Sequence, residues 1–494
     1  MPDDRPNVLL ITTDQQRGDC IGADRTTAIK TPNIDRLADG GVVFEAAYSE
    51  APACVPCRMV WMKGRHPWDI GQDVWTDGAP TPEESLPGAF ARAGYHAAGL
   101  GKMHLTPERE MCGFHERQVS EAGRMPAAGH GHDDYHIWLA ENTEWSGYER
   151  GHNVGNNEVF AEVSPLPEQY HVNSWTAMVT AEYLRRAAGE RPGQPFFAFM
   201  SFTKPHSPYD PPRPWDQCYS PLDMPAPFGK WGDLDSEPPA VRTRALQRGF
   251  DRMGPEQVAC SRAAYWGQIT HIDECIGRVL RELDALGLAE NTAVVFTADH
   301  GDLMGDHNGF FKSNFYDGST RVPMVVHMPP GMRERFGLEA GRRVSHPVGA
   351  ERLHATLLDI AGIEPNPAVT GKSVLPDCRG ERPPEDYVFG GYYGGPPGYS
   401  LMARGERYKY VWWQGGGVEQ LFDMKADPAE EVNLAGDPGH SAVLEEHRGA
   451  LIEHLGRFER PEGRVIEDGR LKSFEWTEEH ELPRFSGPWG RRPY

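Results

Sequence analysis

Apolar residues in this chain come in short dense runs separated by longer polar or amphipathic stretches. Asn7 to Thr12, Tyr95 to Leu100, Pro195 to Phe202, Thr292 to Thr297 and Pro323 to Met328 are apolar runs of strand length, as expected for strands covered on both faces. Thr31-Pro32-Asn33 reads as an N-cap followed by a proline in the first turn, opening a helix that ends near Gly40-Gly41. Tyr265, Ile269, Ile272, Ile276, Val279 and Leu283 recur at three- and four-residue steps, the stripe of a long amphipathic helix. Strands alternating with helices predict an α/β fold with a large, mixed but mostly parallel sheet flanked by helices.

Other segments break that rhythm. From Pro107 to about Trp175 the chain is rich in Gly, His, Trp and charge with weak periodicity, and reads as long loops roofing a site. Trp138, Trp145 and Trp175 either line a pocket there or pin the loops to the core. Pro211 to Pro239 is a second, Pro-rich excursion, and Asp377 to Asp386 is a polar, Pro-containing linker. Tyr387–Phe389, Ser400–Ala403, Tyr408–Trp413 and Gln420–Phe422 are short strand-like runs, predicting a small antiparallel sheet. The expected division is a catalytic domain over 1–380 and a C-terminal subdomain over 381–494. The polar and aromatic tail from Trp476 to Tyr494 is the candidate surface for association of two copies.

Composition narrows the class. With 494 residues, 39% hydrophobic and 25% charged, the chain suits a soluble globular enzyme with a large core. No stretch approaches the length of a membrane span, and residues 1–6 lack an apolar signal core, so no membrane partner and a cytoplasmic location are expected. A formal charge of −22 argues against nucleic acid and repels anions at long range. An anionic substrate would therefore need a local basic cluster. Eight cysteines form no dense framework, and no disulfide is required.

The candidate chemistry gathers where strands end, which is where open α/β sheets bind ligands. The first strand is followed by Asp14-Gln15, the second by Lys102 and His104, the third by Lys204 and His206, and the fourth by Asp299-His300. Lys312 follows in a loop. Asp14, Asp299 and His300, with the Gln15 amide oxygen, suit one divalent cation. Each also has a plainer reading, Asp14 as a turn cap, Asp299-His300-Gly301 as a polar turn and His206 as a loop residue between prolines. Asp302, Asp306 and His307 read as turn residues or partners of the site.

Cys54-Val55-Pro56-Cys57-Arg58 is the most specific stretch. Pro56 fits a first helical turn, whose free N–H groups favour an anion and lower a thiol's pKa. Arg58 lies four residues on, on the same helix face. Cys54-x-x-Cys57 by itself also suits a thiol–disulfide oxidoreductase.

Taken together, Asp14, the C-x-P-x-R pattern of Cys54 and Arg58, Lys102 with His104, His206, Asp299 with His300, and Lys312 resemble the motifs of the sulfatase family, in order and context. The resemblance spans most of residues 7–435. It includes Arg407-Tyr408-Lys409-Tyr410, Leu421-Phe422-Asp423, Asp427-Pro428, Glu430 and Asn433-Leu434, which look like that family's C-terminal subdomain. It implies an alkaline-phosphatase-like fold. It also implies that a maturation enzyme converts Cys54 to formylglycine. One oxygen of the hydrated aldehyde attacks sulfur, and the other later loses its proton and expels sulfate. By the same resemblance Cys54 sits against the metal, Ca²⁺ or Mn²⁺, while Arg58, Lys102, His104, His206 and Lys312 serve the sulfate.

The chain departs from many sulfatases at three positions. Gln15 stands in place of a second Asp, His300 in place of Asn, and Cys57 in place of Ser or Ala. The Asp-Gln and Asp-His pairs resemble the phosphonate monoester hydrolase and choline-sulfatase branches. The Lys102-x-His104 pair differs from the neutral Tyr-x-Thr of phosphonate monoester hydrolases. The expectation is therefore a hydrolase of small-molecule organic sulfate esters. The alternatives are a phosphonate or phosphate mono- or diester hydrolase on the same scaffold, the oxidoreductase, or a non-catalytic sulfate-ester-binding relative.

Overall fold

The protein is described by a computed structural model covering residues 5–121, 133–381, 387–395 and 398–481. Its centre is a nine-stranded sheet. The strands are β1 (Asn7–Asp14), β2 (Gly41–Tyr48), β3 (His96–Gly101), β4 (Glu116–Val119), β5 (Phe196–Pro205), β6 (Thr292–Ala298), β7 (Arg321–His327), β8 (Arg342–Val344) and β9 (Val348–Gly349). They run in the order β4-β3-β5-β1-β6-β7-β2-β8, with β9 also on β2. All pairs are parallel except those of β7, which runs antiparallel to both β6 and β2.

Both faces of the sheet are covered, which is why its strands read as unbroken apolar runs. Successive side chains point to opposite faces. Val8, Leu10, Phe197, Phe199 and Val295 face one apolar cluster, and Leu9, Ile11, Ala198, Met200, Val294 and Phe296 face the other. The main helices are α1 (Pro32–Asp39), α2 (Cys54–Lys63), α3 (Val172–Glu190), α4 (Pro239–Arg248), α5 (Pro255–Ala285) and α6 (Arg352–Ala361), of which all but α4 cover the sheet. Helices α2 and α6 pack on the first face through Val55, Trp61, Leu353 and Leu357. Helices α1, α3 and α5 pack on the second through Ile34, Leu37, Tyr183, Ile272 and Ile276.

Several expectations change in detail. β1 and β5 extend to Asp14 and Pro205, into residues the sequence assigns to loops. The α1 start is capped across the chain: Thr31 donates to Asp35, while Asp273 of α5 accepts from Asn33 N and Ile34 N at 3.1 and 2.8 Å. The segment read as loops contains β4, the helix Asp134–Asn142 and the start of α3. Strand β2 escapes the pattern because Glu45 and small alanines interrupt its apolar run.

The C-terminal strands β10 (Val388–Tyr393), β11 (Tyr399–Arg404), β12 (Tyr408–Trp413) and β13 (Val418–Asp423) form the expected antiparallel sheet, in that order. A helix that the sequence reading did not include, α7 (Ser441–Leu455), packs on its outer face through Leu444 and Leu451. The inner face meets Tyr48, Phe315 and Tyr316 beside the main sheet. Lys409, fully buried, joins the two bodies by ion pairs to Asp317 at 2.6 Å and to Glu430. The start of the linker forms the short helix Leu375–Cys378, and 382–386 lie outside the described residues, as does the tail from 482 to 494. Among the described residues no helix is long and apolar enough to cross a membrane.

Candidate active site

Because β3, β5, β1 and β6 are adjacent and parallel, their carboxyl ends fall on one edge. Asp14, Lys102, His206 and Asp299-His300 are all delivered there by chain direction. Helix α2 starts at the same edge with Cys54, which is only 2% exposed. The sequence suggests an open helix start, whereas the structure makes the thiol the buried floor of a polar site.

The thiol is surrounded by charge. Cys54 Sγ lies 3.2 Å from His300 Nε2, 3.5 Å from Asp14 Oδ1 and 3.4 Å from Lys312 Nζ. Lys102 Nζ donates to Asp14 Oδ2. Burial opposes ionisation of Asp14, yet Lys102, with Lys312 and His300, holds it well below the usual carboxylate range. Burial likewise opposes the charge on Lys102, and Asp14 more than restores it. For Cys54, burial and Asp14 push the thiol up, but Lys312, Lys102 and His300 together bring it below its ordinary value. This is the local basic cluster that the acidic chain needs.

Cys57 is different. It is buried among Val55, Met59 and Trp61 in the apolar core, and burial and then Asp299 push its pKa well above the ordinary thiol value. All eight cysteines are free thiols. A redox pair needs its second thiol accessible, so the arrangement disfavours the oxidoreductase reading.

The donor set fits one divalent cation. Asp14, Cys54, Asp299 and His300 each offer an atom within 4.8 Å of all the others. His300 Nδ1 meets the Gly301 carbonyl at 2.9 Å and must donate to it, and Asp299 raises the ring's pKa against burial; a bound cation would take the proton's place on Nε2. That nitrogen lies 3.6 Å from both Asp14 Oδ1 and Asp299 Oδ1. Two carboxylates, a thiol and an imidazole nitrogen converging in a buried space suit a cation.

Arg58 is placed behind this set. Its Nε donates to Asp299 Oδ2 at 2.8 Å, and its Nη1 donates to the Lys102 carbonyl at 2.6 Å and Ser201 Oγ at 2.9 Å. It orients Asp299, whose other oxygen accepts from Gln15 N and His300 N, each at 3.0 Å. Gln15 has a left-handed backbone, φ 71°. Its amide oxygen accepts from Lys312 Nζ at 2.6 Å, and its amide nitrogen donates to Asp302 at 2.6 Å. Gln15 therefore steadies Lys312.

The two other histidines differ from each other. His206 Nδ1 donates to the Ser207 carbonyl at 2.8 Å, leaving Nε2 as an acceptor. Burial, followed by Lys312, drives its pKa well below 6.5, so it is neutral at pH 7 and adds no positive charge. His104 has a left-handed backbone, φ 61°, fixed by Glu121, which accepts from its N at 3.0 Å. Its ring meets Trp75 edge-on at 5.5 Å between centroids.

Trp75, 44% exposed at this mouth, is a residue the sequence reading missed. Its only sequence signal is a tryptophan in a loop. Asp302 also does more than turn the chain, accepting from Gln15, Tyr209 Oη at 2.6 Å and Phe311 N at 2.6 Å, and so joining the Lys312 loop to β1. Lys204 is buried and paired with Asp210, and Asp306 with Arg17 and Arg262. His307 stacks on Tyr316. Trp175 is buried against Tyr135, while Trp138 and Trp145 pack on the same core, as loop anchors do.

Comparison with known proteins gives a consistent result. A family model described as Sulfatase matches residues 6–363, and one described as N-sulphoglucosamine sulphohydrolase, C-terminal, matches residues 305–455. An arylsulfatase of Clostridium perfringens is 33% identical over 477 residues, covering 92% of this chain and 95% of that protein. A choline-sulfatase of Rhizobium meliloti is 29% identical over 449 residues, covering 88% and 83% respectively. The crystal structure of the phosphonate monoester hydrolase of Agrobacterium radiobacter matches with a TM-score of 0.75 at 25% identity, covering 99% of this chain and 100% of that one.

Proposed function

The chain belongs to the sulfatase family and is a sulfatase-type hydrolase of alkaline-phosphatase-like fold, and from that premise we propose that it cleaves organic sulfate esters at a formylglycine made from Cys54 by a maturation enzyme, beside one divalent metal, Ca²⁺ or Mn²⁺. The observation that carries this reading is the position of Cys54 Sγ, within 3.5 Å of His300, Lys312 and Asp14 at the carboxyl edge of the sheet. The formylglycine supplies, when hydrated, an oxygen nucleophile for sulfur and a second hydroxyl through which sulfate leaves. The metal supplies Lewis acidity toward a sulfuryl oxygen.

The residues of the chain take the remaining roles in this proposal. Asp14, Asp299 and His300 hold the metal with the modified Cys54, and Gln15 is a weaker fourth donor. Lys102 and Lys312 bear the charge on the sulfate oxygens. His206 Nε2, neutral and facing inward, is the proton acceptor, and His104 stands at the leaving oxygen as donor. Arg58 fixes Asp299, and Trp75 offers a ring face to the released alcohol. Aryl sulfates are the first substrates to try, given the arylsulfatase relative. The division of the chain near residue 381 and residence in the cytoplasm, which the eight free thiols suit, are part of the same proposal. A phosphonate or phosphate ester hydrolase is the second reading, supported by Gln15, His300 and the structural neighbour.

Exhaustive chelation is expected to lower aryl sulfate turnover by about tenfold or more, and Ca²⁺ or Mn²⁺ to restore it. Full activity in metal-free protein would overturn the metal assignment. The pH profile tests His206. A base is active when neutral, and burial with Lys312 lowers this group well below 6.5, so activity is retained as pH falls through that value. His206→Gln is expected to slow turnover by about 10² or more. An acid limb of kcat/KM centred above pH 6.5 and assigned to His206 by its loss in the variant contradicts the proposed environment.

A further inference from the structure

Parallel strands bring one more carboxylate to the catalytic edge, and the proposed chemistry gives it no task. β4 lies beside β3 in the same direction, with Gly101 opposite Val119. Ser120 N donates to the Gly101 carbonyl at 3.2 Å, so the two strands end together. Lys102 follows at the end of β3, and Glu121 follows at the end of β4. Glu121 is fully buried.

Both of its oxygens face the backbone of the turn that carries Lys102 and His104. Oε1 accepts from Met103 N at 3.2 Å and from His104 N at 3.0 Å, and Oε2 accepts from His104 N at 3.2 Å. The left-handed φ of 61° at His104 is one that a side chain other than glycine's rarely adopts, and it persists only where the surroundings hold it. Glu121 is itself held. Its N donates to Asp133 Oδ2 at 2.7 Å. Asp133, also fully buried, accepts from His136 N at 2.9 Å and so caps the helix Asp134–Asn142. Asp134 Oδ2 accepts from Val119 N at 2.7 Å, tying the same helix start to β4. Two buried carboxylates in series thus join the roof helix to His104.

Resting on the sulfatase reading, we propose that Glu121 is the positioning residue for His104, fixing the turn that brings this ring to the leaving oxygen, and that it thereby determines how well esters of weakly acidic alcohols are cleaved. As the S–O bond breaks, its electron pair passes to the alcohol oxygen, which takes the proton that His104 gives up, while sulfur bonds to the attacking oxygen. A weakly acidic alcohol needs that proton as the bond breaks, so the donor must already stand within hydrogen-bond reach. An alcohol that departs readily as its anion has little need of it.

The probes are phenyl sulfate and 4-nitrophenyl sulfate, the second with the leaving group that departs as its anion. Glu121→Ala is expected to lower kcat/KM by about 10² for phenyl sulfate and by about tenfold or less for 4-nitrophenyl sulfate. Glu121→Gln keeps an acceptor oxygen at the His104 N–H and restores most of the phenyl sulfate rate. The ratio of the two rates is read within one protein, so any loss of folded material cancels. Should the Ala variant not fold, Glu121→Asp, whose carboxylate is withdrawn by one methylene, moves the ratio in the same direction. Equal losses on the two esters, a larger loss on 4-nitrophenyl sulfate, or no loss on either overturns the positioning role and leaves the sulfatase reading standing. Failure of wild-type protein carrying formylglycine to turn over either ester removes that reading, and this inference with it.

Discussion

Cys54→Ala is expected to abolish aryl sulfate turnover, by a factor of about 10⁴ or more, while leaving the fold in place. The kinetic loss follows from chemistry, since a methyl group cannot be oxidised to the aldehyde and no neighbouring group replaces it. The small structural effect follows from position. Cys54 is the first residue of α2 and its sulfur faces His300, Asp14 and Lys312 rather than the apolar core. Removing it opens space in a polar site, where water can enter, and Lys312 keeps its bond to Gln15. A stability change of about 1 kcal/mol or less by denaturant unfolding is expected. Mass spectrometry of the tryptic peptide bearing Cys54, before and after reduction, separates aldehyde, thiol and disulfide in the wild-type protein. Cys57→Ala is the control: Cys57 lies in the core, so its loss affects packing and not turnover. A Cys54→Ala protein with near-normal turnover would end the formylglycine proposal.

Lys102→Ala is the second large effect, expected to lower kcat/KM for an aryl sulfate by about 10² or more. Lys102 Nζ is bound to Asp14, beside the thiol, and supplies a fixed charge where the sulfate oxygens are placed in the proposed complex. Breaking a buried pair leaves its partner charge uncompensated, which costs about 3–5 kcal/mol. For that reason the variant is best compared with the metal present, and Lys102→Met, which keeps the packing of the stem, accompanies it. The same panel separates the two readings of the site. The charged Lys102-x-His104 pair suits a sulfate ester, whose leaving oxygen gains charge as the bond breaks. A matched set of aryl sulfate, phosphonate and phosphate esters is expected to show the highest kcat/KM for sulfate. Preference for phosphonate by about tenfold, with Lys102→Ala nearly silent, would move the enzyme to the second reading.

Much of this architecture was legible in the order of residues. β1, β3, β5 and β6 announce themselves because a strand covered on both faces must be apolar throughout. Parallel strands also share a direction, so residues following them are gathered on one edge whatever the spacing between them. That rule alone assembled Asp14, Lys102, His206, Asp299 and His300, and the C-x-P-x-R pattern added Cys54. The antiparallel direction of β7 and the existence of β2 were hidden, because pairing depends on partners hundreds of residues away.

Roles within the site were decided by the tertiary structure. Arg58 shares a helix face with Cys54 in sequence, but Asp299 and the Lys102 carbonyl, brought from two other strands, turn its guanidinium to the rear. His206 looks like a cation, yet burial beside Lys312 makes it neutral, and the Ser207 carbonyl selects its tautomer. Trp75 carries no motif and gains meaning only from the His104 ring that it meets. Local pattern reports which face of an element is covered and where a strand ends. Charge state, orientation and the shape of a cavity depend on groups distant in sequence, and these exist only once the chain has folded.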